Sequence, residues 1–428
     1  MIWCFGSLDG RSDALDYRVT LIGDHAEVYL TMEMKSESPV NRFQAALLLP
    51  DNANQVVSLR DRQGKIDDFR VTGQTLSFIT NFSNPKRIEV VEINMKLEDV
   101  RDETLAPLYA MELSLPSFET GETKVRIEVP GLRLISTQAT FGFQMTLSED
   151  ALQFSGQGPI WFKIFYTDRG QGKTYDHYVL FGTREIGEAD RLYQIIPQVL
   201  GLHPPLQRFP VVILEDERYN QLADPWSNGT YREGGLILLR DSLEVNDRTA
   251  TLIHETVHAF NAQIMNWNTS QIAWFDEGIA EYIESLVKGK LEILKPNLFI
   301  GEQIYSRGGR QYVLFPKSSL DKLYQYYRNG LDFMRDWDPR TSREREFGYA
   351  FSELFMRDYI HRNGYRKLQQ IYRQLAGVKE PVSNGDEFNR ILFSILGIRE
   401  LRPCYAQIKR EIERCVNRIN GYHLEVPR

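Results

Sequence analysis

The chain is short of the residues that most often staple a fold or ligate a metal. Its 428 residues include three cysteines, Cys4, Cys404 and Cys415, and seven histidines. An odd cysteine count at such long spacings supports no disulfide framework, and no Cys-x-x-Cys pair is present to build a thiolate metal site. Cys404 and Cys415 fall on one predicted helix about three turns apart, too far to bridge each other. Basic residues are not in excess either: 51 Lys and Arg stand against 58 Asp and Glu, a formal net charge of −7. A protein that grips phosphates without regard to sequence needs a basic surface, so nucleic acid is set aside as a partner. No run approaches the ~18 apolar residues of a membrane span. The opening segment MIWCFGSLDG has neither a basic start nor a long apolar stretch, which predicts a cytoplasmic protein as written, or an extracytoplasmic one if the start is processed or truncated. There is no internal repeat and no low-complexity tract. The oligomeric state is left open.

What is present is the balance of a globular chain, 42% apolar and 25% charged. Its length predicts two or three domains. The first part alternates apolar and polar residues with period two, as in Ala26, Val28, Leu30, Met32 and Met34, in Val91, Ile93, Met95 and Leu97, and in Val125, Ile127 and Val129. Such alternation places one face of a strand in a core and the other in water. Turn signals at Ser38-Pro39, Asn84-Pro85 and Thr120-Gly121 separate the runs. The pattern predicts an antiparallel β-sandwich over 1–183. Near residue 184 the character changes. A helix is predicted over Glu188–Leu200, with Pro197 as an irregularity and Gly201 as its stop. Short buried strands follow at 211–214 and 236–239. A catalytic α+β domain is assigned to 184–345, and a helical C-terminal region that completes its cleft to 346–428.

The chemistry concentrates in Thr251-Leu252-Ile253-His254-Glu255-Thr256-Val257-His258. On a helix, residues four apart lie one above the other. His254 and His258 can therefore share one metal ion, and zinc accepts imidazole nitrogen at about 2.0–2.1 Å. Glu255 is turned about 100° away from His254. It is placed to act beside the open coordination position as a general base. Ile253, Val257, Phe260 and Ile264 form an apolar stripe that would anchor this helix in a core.

Further along comes Trp274-Phe275-Asp276-Glu277-Gly278-Ile279-Ala280, with eighteen residues between His258 and Glu277. It resembles the Trp-Leu-Asn-Glu-Gly-Phe-Ala segment of the gluzincin metallopeptidases, which include the aminopeptidase N and leukotriene A hydrolase family. Asp276 stands where that family has Asn. The resemblance implies a thermolysin-like α+β catalytic domain, Glu277 as the third ligand of a single Zn2+ per chain, and an open fourth position. It implies that Glu281 holds a ligand histidine from behind, although a solvent-facing glutamate is an equal reading of that residue. It also implies a substrate edge strand before the metal helix, placed at Gly234, Gly235 and Leu236. The resemblance further implies a tyrosine that supports the oxyanion. Tyr349 is the candidate, with Tyr305, Tyr312 and Tyr327 as rivals. The Gly-Ala-Met-Glu-Asn segment with which the aminopeptidase N family grips a substrate amino terminus is absent. Glu233 is its one stand-in.

These observations predict a zinc metallopeptidase acting on peptide or protein substrates, more an endopeptidase than an aminopeptidase. The alternatives are a non-peptidase zinc hydrolase using the same site, and a binding protein that keeps the fold without turnover.

Overall fold

In a computed structural model of the chain, the described residues are 10–36, 43–50, 53–80, 88–115, 122–140, 142–148, 151–203, 208–265, 272–293, 303–307, 310–316, 337–341, 345–378, 390–391 and 421–425. Cys4, Cys404, Cys415 and Tyr327 lie outside them. No helix among the described residues is long and apolar enough to cross a membrane. The fold is of the α+β class, and the chain divides into two compact units: residues 1–174 with 179–181, and residues 175–178 with 182–428.

The first unit is built from sheets of eight, four and three strands. The alternating residues point where period two places them: Ala26, Val28, Leu30 and Met32 are buried, as are Val91, Ile93, Met95 and Leu97. They share one core with Phe78, Phe162 and Tyr166 from the other two sheets. One pairing departs from the antiparallel expectation. Strand Gly10–Ile22 pairs antiparallel with its neighbour His25–Ser36 but parallel with Glu122–Glu128. A hairpin can join only antiparallel strands, and a parallel partner requires a long connection. Here that connection spans roughly a hundred residues, so local pattern could not reveal it.

In the second unit the helix expected over Glu188–Leu200 is two, Ala189–Leu192 and Ile195–Leu200. Pro197 explains the break. In one continuous helix its ring would strike the carbonyl of residue 193, whereas in the first turn of a new helix the missing N–H is not needed. Gly201 closes the second helix in the left-handed conformation at φ +71°. Three strands follow the helices: β1 (Phe209–Leu214), β2 (Gly229–Arg232) and β3 (Leu236–Arg240). β3 runs parallel to β1 and antiparallel to β2, and β2 is the last strand of the sheet.

Helix α1 (Val245–Ile264) carries the His-Glu-x-x-His segment, and α2 (Ala273–Lys290) carries Glu277. Leu252, Ile253, Val257 and Phe260 are fully buried, each contributing about 1.5–3 kcal/mol of transfer free energy. Arg248 fixes the start of α1 by donating to the carbonyls of Glu185, Asp241 and Leu243 at 2.8, 3.0 and 2.5 Å. A long helical segment, α3 (Arg345–Leu375), is interrupted at Gly364, where φ is +74°. Trp274 meets Phe355 of α3 edge-on at 5.4 Å, and Phe275 lies 5.9 Å from Tyr372. At the crossing of α2 and α3 the chain has Gly278. A Cβ there would stand 2.8 Å from the Ser352 carbonyl oxygen. A hairpin, Gln303–Arg307 with Arg310–Pro316, pairs with Gly421–Glu425.

Gly278→Ala is expected to lower stability by about 1–3 kcal/mol, because a backbone carbonyl cannot move aside as a side chain can. The midpoint of urea denaturation reads this directly. An unchanged midpoint would mean that α2 and α3 are free to separate.

Candidate metal centre

Helices α1 and α2 bring His254, His258 and Glu277 to one point. The two Nε2 atoms are 3.1 Å apart, and Glu277 Oε2 lies 3.4 Å from His254 Nε2 and 3.3 Å from His258 Nε2. A tetrahedral ion with ligand distances near 2.1 Å spaces its ligand atoms about 3.4 Å apart, so the triangle has the size of a zinc site. The far side of each ring supports this. His258 Nδ1 donates to Asp276 Oδ2 at 2.8 Å, and His254 Nδ1 donates to Glu284 Oε2 at 3.0 Å. With both Nδ1 atoms protonated, each Nε2 presents a lone pair inward. Glu277 Oε2 is buried and has no hydrogen-bond donor among the described residues. Two lone pairs and a carboxylate oxygen at these distances repel one another unless a positive charge, a proton or a metal ion, sits among them. The three residues fit a zinc ion.

The carboxylates behind the rings are themselves held. Asn261 Nδ2 donates to Asp276 Oδ1 at 2.6 Å, and Tyr372 donates to Asn261 Oδ1 at 3.1 Å. Lys288 pairs with Glu284 at 2.9 Å. Burial opposes the charged form of Glu284, but the Lys288 ammonium and the His254 ring outweigh it and keep the carboxyl well below its usual range. Burial alone would also pull both imidazoles down. The surrounding carboxylates reverse this and raise them well above the ordinary value, a field that favours a positive charge at the centre.

Glu281 was the residue expected behind His254. Its Oε1 is 4.0 Å from His254 Nδ1, and Glu284 is the nearer carboxylate. His254 stands level with the second turn after Glu277, not the first. Seven residues after Glu277 the helix returns to nearly the same azimuth, so the sequence did hold a signal for Glu284. Buried beside the charged Glu284, Glu281 is pushed up to about 8.

Glu255 lines the same cavity of about 420 Å³ as the three converging residues. It is 7% exposed, and burial raises its carboxyl above the usual range. β2 leaves room for it through Gly229, where a Cβ would stand 2.9 Å from Glu255 Cγ and 2.7 Å from Thr251 Cγ2. Tyr349 of α3 donates to Glu277 Oε1 at 3.4 Å and packs edge-on against Trp337. Its burial raises the phenol well above its ordinary value, so it stays a donor. Its rivals Tyr305 and Tyr312 pair with each other across the hairpin, and their side chains lie outside the described residues.

The expected edge strand is corrected. Gly234 and Gly235 form the turn between β2 and β3, with φ of +88° and +84° that only glycine takes readily. Leu236 belongs to β3, which is flanked on both sides. The outermost strand is β2, and its Gly229, Thr230 and Tyr231 line the cavity. Glu233 is exposed and not among the lining residues.

No family model matches the chain, and no curated protein matches it. Solved structures similar to it include the M1 zinc metallopeptidase from Deinococcus radiodurans, at 15% identity and a TM-score of 0.39 over 94% of this chain and 93% of that one. Native leukotriene A4 hydrolase from Saccharomyces cerevisiae is similar at 9% identity and 0.41, over 94% and 67%. Legionella pneumophila aminopeptidase A in complex with aspartic acid is similar at 11% identity and 0.45, over 94% and 49%. At such identities and scores, what this chain can do is decided by its own residues.

Glu284→Gln is expected to weaken zinc binding about 10–100-fold, since the ring of His254 loses its orienting charge. His258→Ala and Glu277→Ala are expected to abolish it. Competition with a chromophoric chelator measures all three, and a Glu284→Gln protein that holds zinc as tightly as the parent would remove Glu284 from the site.

Proposed function

We propose that the chain is a zinc-dependent metallopeptidase that hydrolyses internal peptide bonds. The observation that carries this reading is the convergence of His254 Nε2, His258 Nε2 and Glu277 Oε2 beside the buried Glu255. Zinc held by those three supplies a Lewis acid that polarises a carbonyl and makes water acidic enough to lose a proton near neutrality.

The chain supplies the rest. β2 is the outermost strand of its sheet and lines the cavity, and an extended peptide adds beside it as a further strand. Glu255 takes the proton of the attacking water. Its raised affinity for a proton suits that role and the later return of the proton to the leaving nitrogen. Tyr349, protonated and within reach of Glu277, donates to the carbonyl oxygen as negative charge builds on it. An endopeptidase is favoured over an aminopeptidase because Glu233, the one stand-in for an amine anchor, does not line the cavity.

Glu255→Gln is expected to keep zinc and lose at least about 1000-fold in kcat, and Tyr349→Phe about 100–1000-fold, the range seen when an oxyanion donor is removed. Mass spectrometry of a peptide library incubated with zinc-loaded protein, with Glu255→Gln as control, tests the class. Internal cuts absent from the control support the endopeptidase. Stepwise loss of amino-terminal residues overturns the endopeptidase preference, and a library left intact overturns the peptidase reading.

A further inference from the structure

Among the described residues three cations line the cavity: Lys288, Arg340 and Arg345. Two are consumed. Lys288 is paired with Glu284, and Arg340 grips Asp338 through Nε at 3.1 Å and Nη2 at 3.0 Å. Arg345 differs. Its Nε donates to the Pro339 carbonyl at 2.9 Å, and its guanidinium lies 3.8 Å from the centroid of the Trp226 ring. Among the described residues no carboxylate pairs with it, so its Nη donors remain available. A guanidinium stacked on an indole and tethered through Nε has lost most of its rotational freedom before any ligand arrives. Its outer edge is the fork that matches a carboxylate with two parallel hydrogen bonds.

The position is informative as well. Arg345 precedes Tyr349 by one helical turn, which puts the two on the same face of α3 about 6 Å apart. Trp226 lies three residues before the start of β2, where an added peptide strand would leave the sheet. An extended peptide advances about 3.3–3.6 Å per residue. A group held by Arg345 is therefore about two residues from the bond that faces Tyr349 and Glu255.

We propose that Arg345, stacked on Trp226, recognises a carboxylate of the substrate within about two residues of the cleaved bond, which makes acidic peptides the preferred class. This rests on the metallopeptidase reading. The carboxylate belongs either to an Asp or Glu side chain or to a free C-terminus, since both present the same two oxygens.

The test separates this proposal from the reading beneath it by measuring binding apart from cleavage. Zinc-loaded Glu255→Gln protein is titrated with labelled peptides that differ only in Glu against Gln at a scanned position, each with a free or an amidated C-terminus. Binding at least about tenfold tighter for one carboxylate form is expected, as for a charge-assisted pair. Either the Gln exchange or the amidation removes it, which identifies the source. The ratio should collapse towards one in a further Arg345→Met exchange and invert in favour of the neutral form in Arg345→Glu. Trp226→Leu, which removes the stacking platform, should reduce it. Equal binding of all four peptides to the parent overturns the proposal without any Arg345 variant, and so does a preference that survives Arg345→Met in protein that still holds zinc. A carboxylate preference in binding together with a library left uncut leaves the Arg345 site standing and brings down the peptidase reading alone.

Discussion

Two imidazole lone pairs and a carboxylate oxygen, held within 3.4 Å of one another in a buried pocket, cannot be at rest without a positive charge between them. Much of the second unit serves to hold that arrangement against its own repulsion. The rings are pinned from behind by Asp276 and Glu284, and those carboxylates are pinned in turn by Asn261, Tyr372 and Lys288. Each added partner restricts a rotamer and places another fixed charge or dipole around the centre. The donor atoms are thereby oriented towards one point by the fold itself.

The packing follows the same requirement. α1 and α2 must cross closely enough for one turn of each to reach a common point, and α3 must approach α2 closely enough for Tyr349 to touch Glu277. Gly278 makes the second approach feasible by omitting a side chain where the Ser352 carbonyl sits, and Gly229 does the same for Glu255 beneath β2. The aromatic contacts of Trp274 and Phe275 with Phe355 and Tyr372 fill the rest of the contact between α2 and α3. The cavity that results is lined by the outermost strand β2, by His254, His258 and Glu277, and by Trp226 and Arg345.

Several features could be read from the chain before folding, and their physical basis is local. Period-two alternation reported the buried faces of the first unit because a strand turns its side chains over at every residue. The spacing of His254, Glu255 and His258 reported a shared helical face because 3.6 residues make a turn. The misjudged features depend on contacts between distant segments or on competing local geometry. The parallel pairing of Gly10–Ile22 with Glu122–Glu128 requires knowledge of a strand more than a hundred residues away. Gly234, Gly235 and Leu236 looked like an edge because glycines permit close approach, but the same glycines permit a tight turn, and the turn prevails here. Pro197 was visible as an irregularity, while its consequence depended on where a new helix could start.

The sequence by itself determined the donor types, their helical register and the apolar stripe that buries α1, since each depends only on side-chain chemistry and the pitch of the helix. Only the tertiary structure decided that Glu284 and not Glu281 stands closest behind His254, that β2 is the outermost strand, that Tyr349 reaches Glu277, and that Arg345 is stacked on Trp226 without a carboxylate of its own among the described residues. Those relations depend on the angle and depth at which packed elements cross. A shift of one helical turn, about 5.4 Å, is enough to exchange one glutamate for another.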